Sequence, residues 1–223
     1  MTSKTTILIP PTSTQTVVRV EASHELSGKQ WTNKFPSINT LSELAEPFKN
    51  SVTKFLAAMQ DAGISVDMNR LAIYRPPQRS YLMHYAKRVT TSWPGYEQLK
   101  PEDVPAFQPQ GGDMPVSIDW VHKGADGKSD LAASKKAAAQ MVEGYGIGKN
   151  PVAPPYSSRH NNRPSNAIDI PPNAVTIPSD CKVKEASGKG VAVKKYADLY
   201  PIGETYGVYK LLSDPPHWSN DGH

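Results

Sequence analysis

A single cysteine, Cys181, serves the whole 223-residue chain, so an internal disulfide, a cysteine metal cluster and a dithiol redox pair are all excluded. No His-containing motif accompanies Cys181, and it reads as a small buried or loop residue rather than a nucleophile. No apolar run is long enough to span a bilayer. The opening Met1-Thr2-Ser3-Lys4 leads into Thr-rich sequence and Pro10-Pro11 without the apolar core of a secretory signal, so the chain is expected to be soluble and to bypass the general secretory route. Internal repeats, heptads and low-complexity tracts are absent. Long runs of one charge are missing too: 25 basic and 21 acidic residues leave a net charge of +4. That mild surplus argues against nucleic acid as the main partner and weakly favours an anionic surface.

What is present divides into an N-terminal extension over residues 1–39 and one domain over residues 40–223, long enough to bury a single sizeable core. The extension is Thr- and Ser-rich, with one alternating patch at Val17-Val18-Arg19-Val20 that reads as an edge strand. Thr40 and Glu43 have capping-box spacing. Leu41, Leu44, Phe48, Val52, Phe55, Leu56 and Met59 follow at helical spacing, with Pro47 splitting the run and Gly63 ending it. Ile64–Asp67 and Leu71–Tyr74 read as a pair of short strands that deliver Arg75 at a strand end. A second helix is expected from Pro77 toward Val89 because proline suits the first helical position. Within it, His84 reads as a packed histidine, since it has no partner at ligand spacing. Residues 91–115 are loop-rich and expected to border a cleft. Val116, Ile118 and Trp120 alternate as a strand, and a third helix spans about Asp130 to Glu143. Gly144, Gly146 and Gly148 follow that helix rather than a strand, which marks a connector and not a phosphate loop. Residues 171–192 are expected to form a substrate-facing insertion, and Lys194–Leu199 a short helix feeding a strand-like Tyr206–Leu211.

Two stretches near the C-terminal end carry the chemistry. Ser158-Arg159-His160 is answered nine residues later by Asp169 within Ala167-Ile168-Asp169-Ile170, and the chain then reaches Asp214-Pro215-Pro216-His217-Trp218. Two imidazoles and a carboxylate, with a further carboxylate held three residues before the last imidazole, match the inventory of a catalytic zinc site. The turn-forming run Asn161–Asn166 predicts a hairpin in which Asn162 pairs with Ala167 and His160 falls opposite Asp169, on one face of the sheet. The Pro215-Pro216 pair favours a polyproline helix of three residues per turn, which would point Asp214 and His217 the same way.

At these residues the chain resembles the zinc D-Ala-D-Ala peptidase family of carboxypeptidases, vancomycin-resistance dipeptidases and phage L-alanyl-D-glutamate endolysins. That family has a Ser-x-His segment, an Ala-x-Asp segment just after it, and an acidic residue three positions before a late His that is often followed by Trp. The resemblance extends upstream to Tyr74-Arg75-Pro76-Pro77-Gln78-Arg79 and covers roughly residues 40–223. It implies Zn2+ held by His160, Asp169 and His217, Asp214 as general base, and Arg75 as oxyanion stabiliser. The implied fold is α+β, with a small antiparallel sheet carrying the zinc site packed against helices. The implied activity is hydrolysis of a peptidoglycan stem-peptide or cross-bridge amide bond, as in an antibacterial wall-degrading effector or lysin. Such a protein would act in the periplasm or cell wall after delivery through a phage holin or a contractile secretion machine, with a secretion carrier or an immunity protein as further partners.

Here the sequence departs from the family in one respect. The first motif lacks the usual glycine, and the His160-to-Asp169 offset is longer than the family's by an even number of residues. An even insertion preserves which side of a hairpin each residue faces. It also lengthens the loop, the feature that favours the alternative of a non-catalytic wall-binding module retaining the peptidase fold.

Overall fold

The computed structural model describes residues 24–223, over which four α-helices, several 3-10 turns and nine short strands build an α+β fold. Helix α1 (Phe48–Asp61) buries Phe48, Val52, Phe55 and Met59 along one stripe, and Gly63 terminates it at φ +82°. The predicted capping box does not form. Thr40 makes no side-chain cap, and Leu41–Glu43 is one isolated 3-10 turn, because Pro47 has no N–H with which to carry a helix through it. Helix α2 (Pro77–Thr90) starts on its proline as expected. Helix α3 (Leu131–Gly144) is capped by Asp130, whose carboxylate accepts from Ala133 N at 2.9 Å. A fourth helix, α4 (Tyr200–Thr205), was not anticipated.

The strands form four small sheets. β1 (Glu25–Leu26) runs parallel to β3 (Ile118–Asp119), while β2 (Ser65–Val66) is antiparallel to β5 (Val175–Thr176). β6 (Cys181–Lys184) and β7 (Gly190–Val193) make a hairpin. The largest sheet is antiparallel, in the order β4 (Ala167–Asp169), β9 (His217–Ser219), β8 (Tyr209–Lys210).

Two apolar cores lie beneath this frame. The first joins the α1 stripe to Ile168 and Trp218 of the three-stranded sheet, Val183 of the hairpin and Ile202 of α4. The second gathers Trp31, Tyr81, Leu82, Phe107, Trp120 and Met141 between α2 and α3.

Several expectations change against this frame. Residues 24–39 are not a loose extension, because β1 pairs with β3 and Trp31 is only 3% exposed in the second core. The remainder of the proposed extension, including the strand at Val17–Val20, lies outside the described residues. Leu71–Tyr74 does not pair with its predecessor: Ala72 bridges to Asp169 and Tyr74 to Ile38, while β2 goes to β5. The insertion at 171–192 is mostly the β6–β7 hairpin, whose Cys181 and Val183 pack inward on the first core while Lys182 and Lys184 face solvent. Cys181 is buried and unpaired, and burial pushes its thiol pKa up. No helix among the described residues is long and apolar enough to cross a membrane.

Candidate metal centre

Register places two of the expected ligands together. In the β4–β9 pair, Asp169 lies directly opposite His217, the arrangement that brings side chains onto one face about 5 Å apart. His160 arrives by another route. The expected hairpin is absent, and His160 sits in a 3-10 turn, Arg159–Asn161. The cause is competition for the edges of β4. Asp169 N donates to Ala72 O (2.7 Å) on one side and β9 occupies the other, so no ladder is left for residues 158–162. Local side-chain bonds supply the alternative. Ser158 Oγ accepts from His160 N, which gives the Ser-x-His spacing its physical meaning. Asn161 Nδ2 donates to Arg75 O (2.8 Å) and Ser80 Oγ (2.9 Å), while Arg75 N donates to His160 O (2.9 Å).

The three side chains converge. His160 Nε2 is 3.0 Å from Asp169 Oδ1 and 3.1 Å from His217 Nδ1, and His217 Nδ1 is 3.5 Å from Asp169 Oδ1. Ligands held tetrahedrally at about 2.0–2.2 Å from one ion stand roughly 3.4 Å apart, so the set fits a metal ion. The tautomers fit as well. A carbonyl oxygen only accepts, so His160 Nδ1 donates to Ile73 O (2.8 Å) and His217 Nε2 donates to His223 O (3.2 Å). In its neutral form each ring therefore turns a lone pair toward the shared point, with the far nitrogen anchored as metal-binding histidines require. All three residues are buried, and together they can hold a metal ion.

Arg75 closes the set from outside, its Nη2 donating to Asp169 Oδ2 at 3.0 Å. Burial pushes the Asp169 carboxyl up, but the charge and hydrogen bond of His160, the bond to His217 and the Arg75 guanidinium outweigh it and hold the group well below the usual carboxylate range. Asp169 is thus kept ionised, as a ligand must be.

The Asp214–His217 segment is a tight turn closed by His217 N donating to Asp214 O (3.0 Å), not the polyproline stretch expected from Pro215-Pro216. A residue missed in the sequence holds it in place. Lys210, 8% exposed, donates from Nζ to the carbonyls of Leu211, Asp214 and His217. Nothing local marks Lys210, because its acceptors exist only once the turn has folded. Asp214 is half-buried. Burial and repulsion from Asp169 raise its carboxyl above the ordinary value against the opposing pull of His217, Arg75 and Lys210.

His160, His217, Asp214 and Arg75 all line a cavity of about 540 Å3, together with Pro151, Tyr156 and Ser157. Tyr156 holds a left-handed backbone (φ +64°), costly for an aromatic residue, with its phenol bonded to Asp113 (2.6 Å) and to Gln110 N (2.9 Å). Residues 91–115, expected to border this cleft, support its wall from behind through that contact and are not among its lining. His84 is packed, as expected, with its Nδ1 donating to Val152 O at 2.7 Å.

Comparison with protein-family models, with curated proteins and with solved structures gives no match.

Proposed function

We propose that the chain is a zinc-dependent peptidoglycan peptidase with a D-Ala-D-Ala-peptidase-like fold, cutting a stem-peptide or cross-bridge amide bond. The observation that carries this reading is the convergence of His160, Asp169 and His217 on one point beside a cavity that His160, His217 and Asp214 line. When bound, zinc supplies Lewis-acid polarisation and lowers the pKa of water toward about 7. Asp214, its proton affinity raised by its surroundings, takes the proton of the attacking water and passes it to the leaving amine. Arg75 lines the cavity, and its Asp169 contact engages one nitrogen of a guanidinium that has five N–H donors, leaving capacity for the developing oxyanion. His160 and His217, fixed by backbone carbonyls, and the ionised Asp169 hold the site without rearrangement.

The second reading is a non-catalytic wall-binding module, favoured in the sequence by the long His160-to-Asp169 offset. The helical turn absorbs that offset and leaves His160 Nε2 within 3.0 Å of Asp169 Oδ1, so the feature no longer counts against ligation. Under the hydrolase reading the site of action is the periplasm or cell wall, with a secretion carrier or an immunity protein as candidate partners.

Elemental analysis of tag-free protein, paired with turnover of purified sacculi, tests the proposal. Wild type should carry zinc at roughly one per chain, the stoichiometry of a single three-ligand site. Asp214→Asn should keep the zinc and lose about a hundredfold to ten-thousandfold in rate. Expression directed to the periplasm should lyse or round Gram-negative cells, an effect lost in His160→Ala and Asp214→Asn. Full activity of metal-loaded Asp214→Asn would overturn the base assignment. Zinc-loaded protein that leaves sacculi and stem peptides intact would move the binding module ahead. Iron in place of zinc would redirect the reading altogether, since two histidines and one carboxylate also hold non-haem iron.

A further inference from the structure

A second cavity, of about 530 Å3, also reaches the centre. Its lining includes Asp169, whereas His160 and His217 face the first cavity, and three residues belong to both: Arg75, Pro151 and Asp214. The ligand set is therefore shared between two open spaces that meet at Arg75, Pro151 and Asp214. Each space alone falls in the size range that takes a drug-sized molecule, or a few amino-acid residues. Their chemistries differ. The first is walled by Ser157, Ser158, Arg159 and Asn162. The second adds a proline wall of Pro171, Pro172, Pro215 and Pro216 to the polar side chains of Arg70 and Asn173.

Removal of a single terminal residue calls for a site that stops on one side of the reacting bond, with a wall and a group that recognises the chain end. Here neither side stops at the junction. Resting on the hydrolase reading above, we infer that the two cavities form one groove through the metal centre and that the bond cut is internal. The substrate is a peptide or peptide cross-link extending past the scissile amide in both directions, with hydroxyl-, amide- or carboxylate-bearing residues in the first cavity and residues that pack on the proline wall in the second. Remote contacts in both cavities hold the amide at the junction, so occupancy of both raises the rate and not only the affinity.

The test compares a linear stem peptide having free ends, the same peptide acetylated and amidated, and a cross-linked dimer, with products read by mass spectrometry. The blocked peptide and the dimer should be cut internally. A version shortened to one residue beyond the scissile bond on either side should lose about tenfold or more in kcat/KM. Two variants at exposed lining positions obstruct one cavity each: Ala153→Trp the first and Asn173→Trp the second. Both should keep their metal and both should slow cleavage of the dimer by about tenfold or more. Release of terminal residues only, with blocked peptides resistant, would overturn the inference and leave the hydrolase reading standing. Asn173→Trp cutting the dimer at the wild-type rate would overturn it too. Where no peptide is cut at all, both readings fail as catalysis. In that case calorimetric binding of the blocked peptide to zinc-loaded Asp214→Asn decides the groove: weakening by both tryptophan substitutions supports it, and weakening by only one sinks it.

Discussion

The two cores use the same device to different ends. Between α2 and α3, Trp120 Nε1 donates to Tyr81 Oη (3.2 Å), which donates to Pro105 O (3.0 Å). Beside α1, Trp218 Nε1 donates to Tyr196 Oη (2.8 Å), which donates to Ile170 O. Both relays let an indole and a phenol be buried with their polar atoms satisfied. Their addresses in the chain differ. Trp218 follows His217 and Ile170 follows Asp169, so the first core's relay ties together the ends of the two ligand-bearing strands. The second core's relay touches no ligand. That core reaches the lining of the second cavity through α2, where His84 Nδ1 donates to Val152 O and Lys87 Nζ to Asn150 O. The first core backs the strands of Asp169 and His217, whereas α2 anchors residues 150–152 of the cavity lining and, through Ser80 to Asn161, the turn of His160; under the proposed function, losing the 150–152 anchors should spare the ion that losing His217 releases.

The largest expected effects set a ligand against a wall anchor. His217→Ala should lose its metal while circular dichroism stays near wild type, because the imidazole lies at the cavity and not within either core. His84→Ala should keep its metal and lose peptide affinity as residues 149–158 loosen. Metal loss in both, or in neither, would break the division. Next come the two indoles: Trp218→Ala and Trp120→Ala should each cost about 3–5 kcal/mol by denaturant titration. In conditions where both variants remain folded, only Trp218→Ala should release the ion.

Lys210→Met comes third. It removes charged donors from three carbonyls of the Asp214–His217 turn, where each such bond contributes about 1.5–3 kcal/mol, and the loss should appear as weaker metal retention and a lower Tm together.

The smallest effect concerns the phenols. Burial, partly offset by the Trp120 bond, pushes Tyr81 up to about 12, and burial likewise raises Tyr196 above the ordinary phenol range. A folded value above the unfolded one of about 10 means that the stability each neutral phenol contributes is fully present below pH 10. It is lost as pH climbs through the folded value. Tyr81→Phe should therefore be less stable than wild type by about 1 kcal/mol near neutrality. That deficit should shrink or reverse in alkali. Tyr196→Phe should behave the same way and also weaken metal retention, which Tyr81→Phe should not.

Local signals were legible and distant pairings were not. The stripe of α1, proline at the start of α2 and the span of α3 each follow from a few neighbouring residues, and the structure places them close to where they were read. The residues offered as ligands could be named because Ser-x-His, Ala-x-Asp and Asp-x-x-His are short spacings. Their route to one another could not. Asp169 pairs with His217, 48 positions on, instead of with the nearer His160, because Ala72 and β9 take both edges of β4. Helix α4 was hidden because Pro201 and Gly203 read as breakers. Pro201 sits harmlessly in the first turn, and Gly203 is needed because a Cβ there would lie 2.8 Å from Trp218 Cζ3 and from Val208 O. The fit of that glycine against that indole is a fact of three-dimensional packing with no trace in linear order.

The anchors of the groove wall have an evolutionary consequence. His84 and Lys87 grip residues 150–152 by main-chain oxygens, and a main-chain oxygen is offered by every amino acid. Exposed side chains in or beside that stretch, such as Asn150 and Ala153, can therefore change without loosening its attachment, while buried Val152 and the buried His160, Asp169 and His217 admit far less substitution. Under the proposed function, a lineage built this way could change what it recognises through a handful of loop codons while inheriting its metal ligands intact.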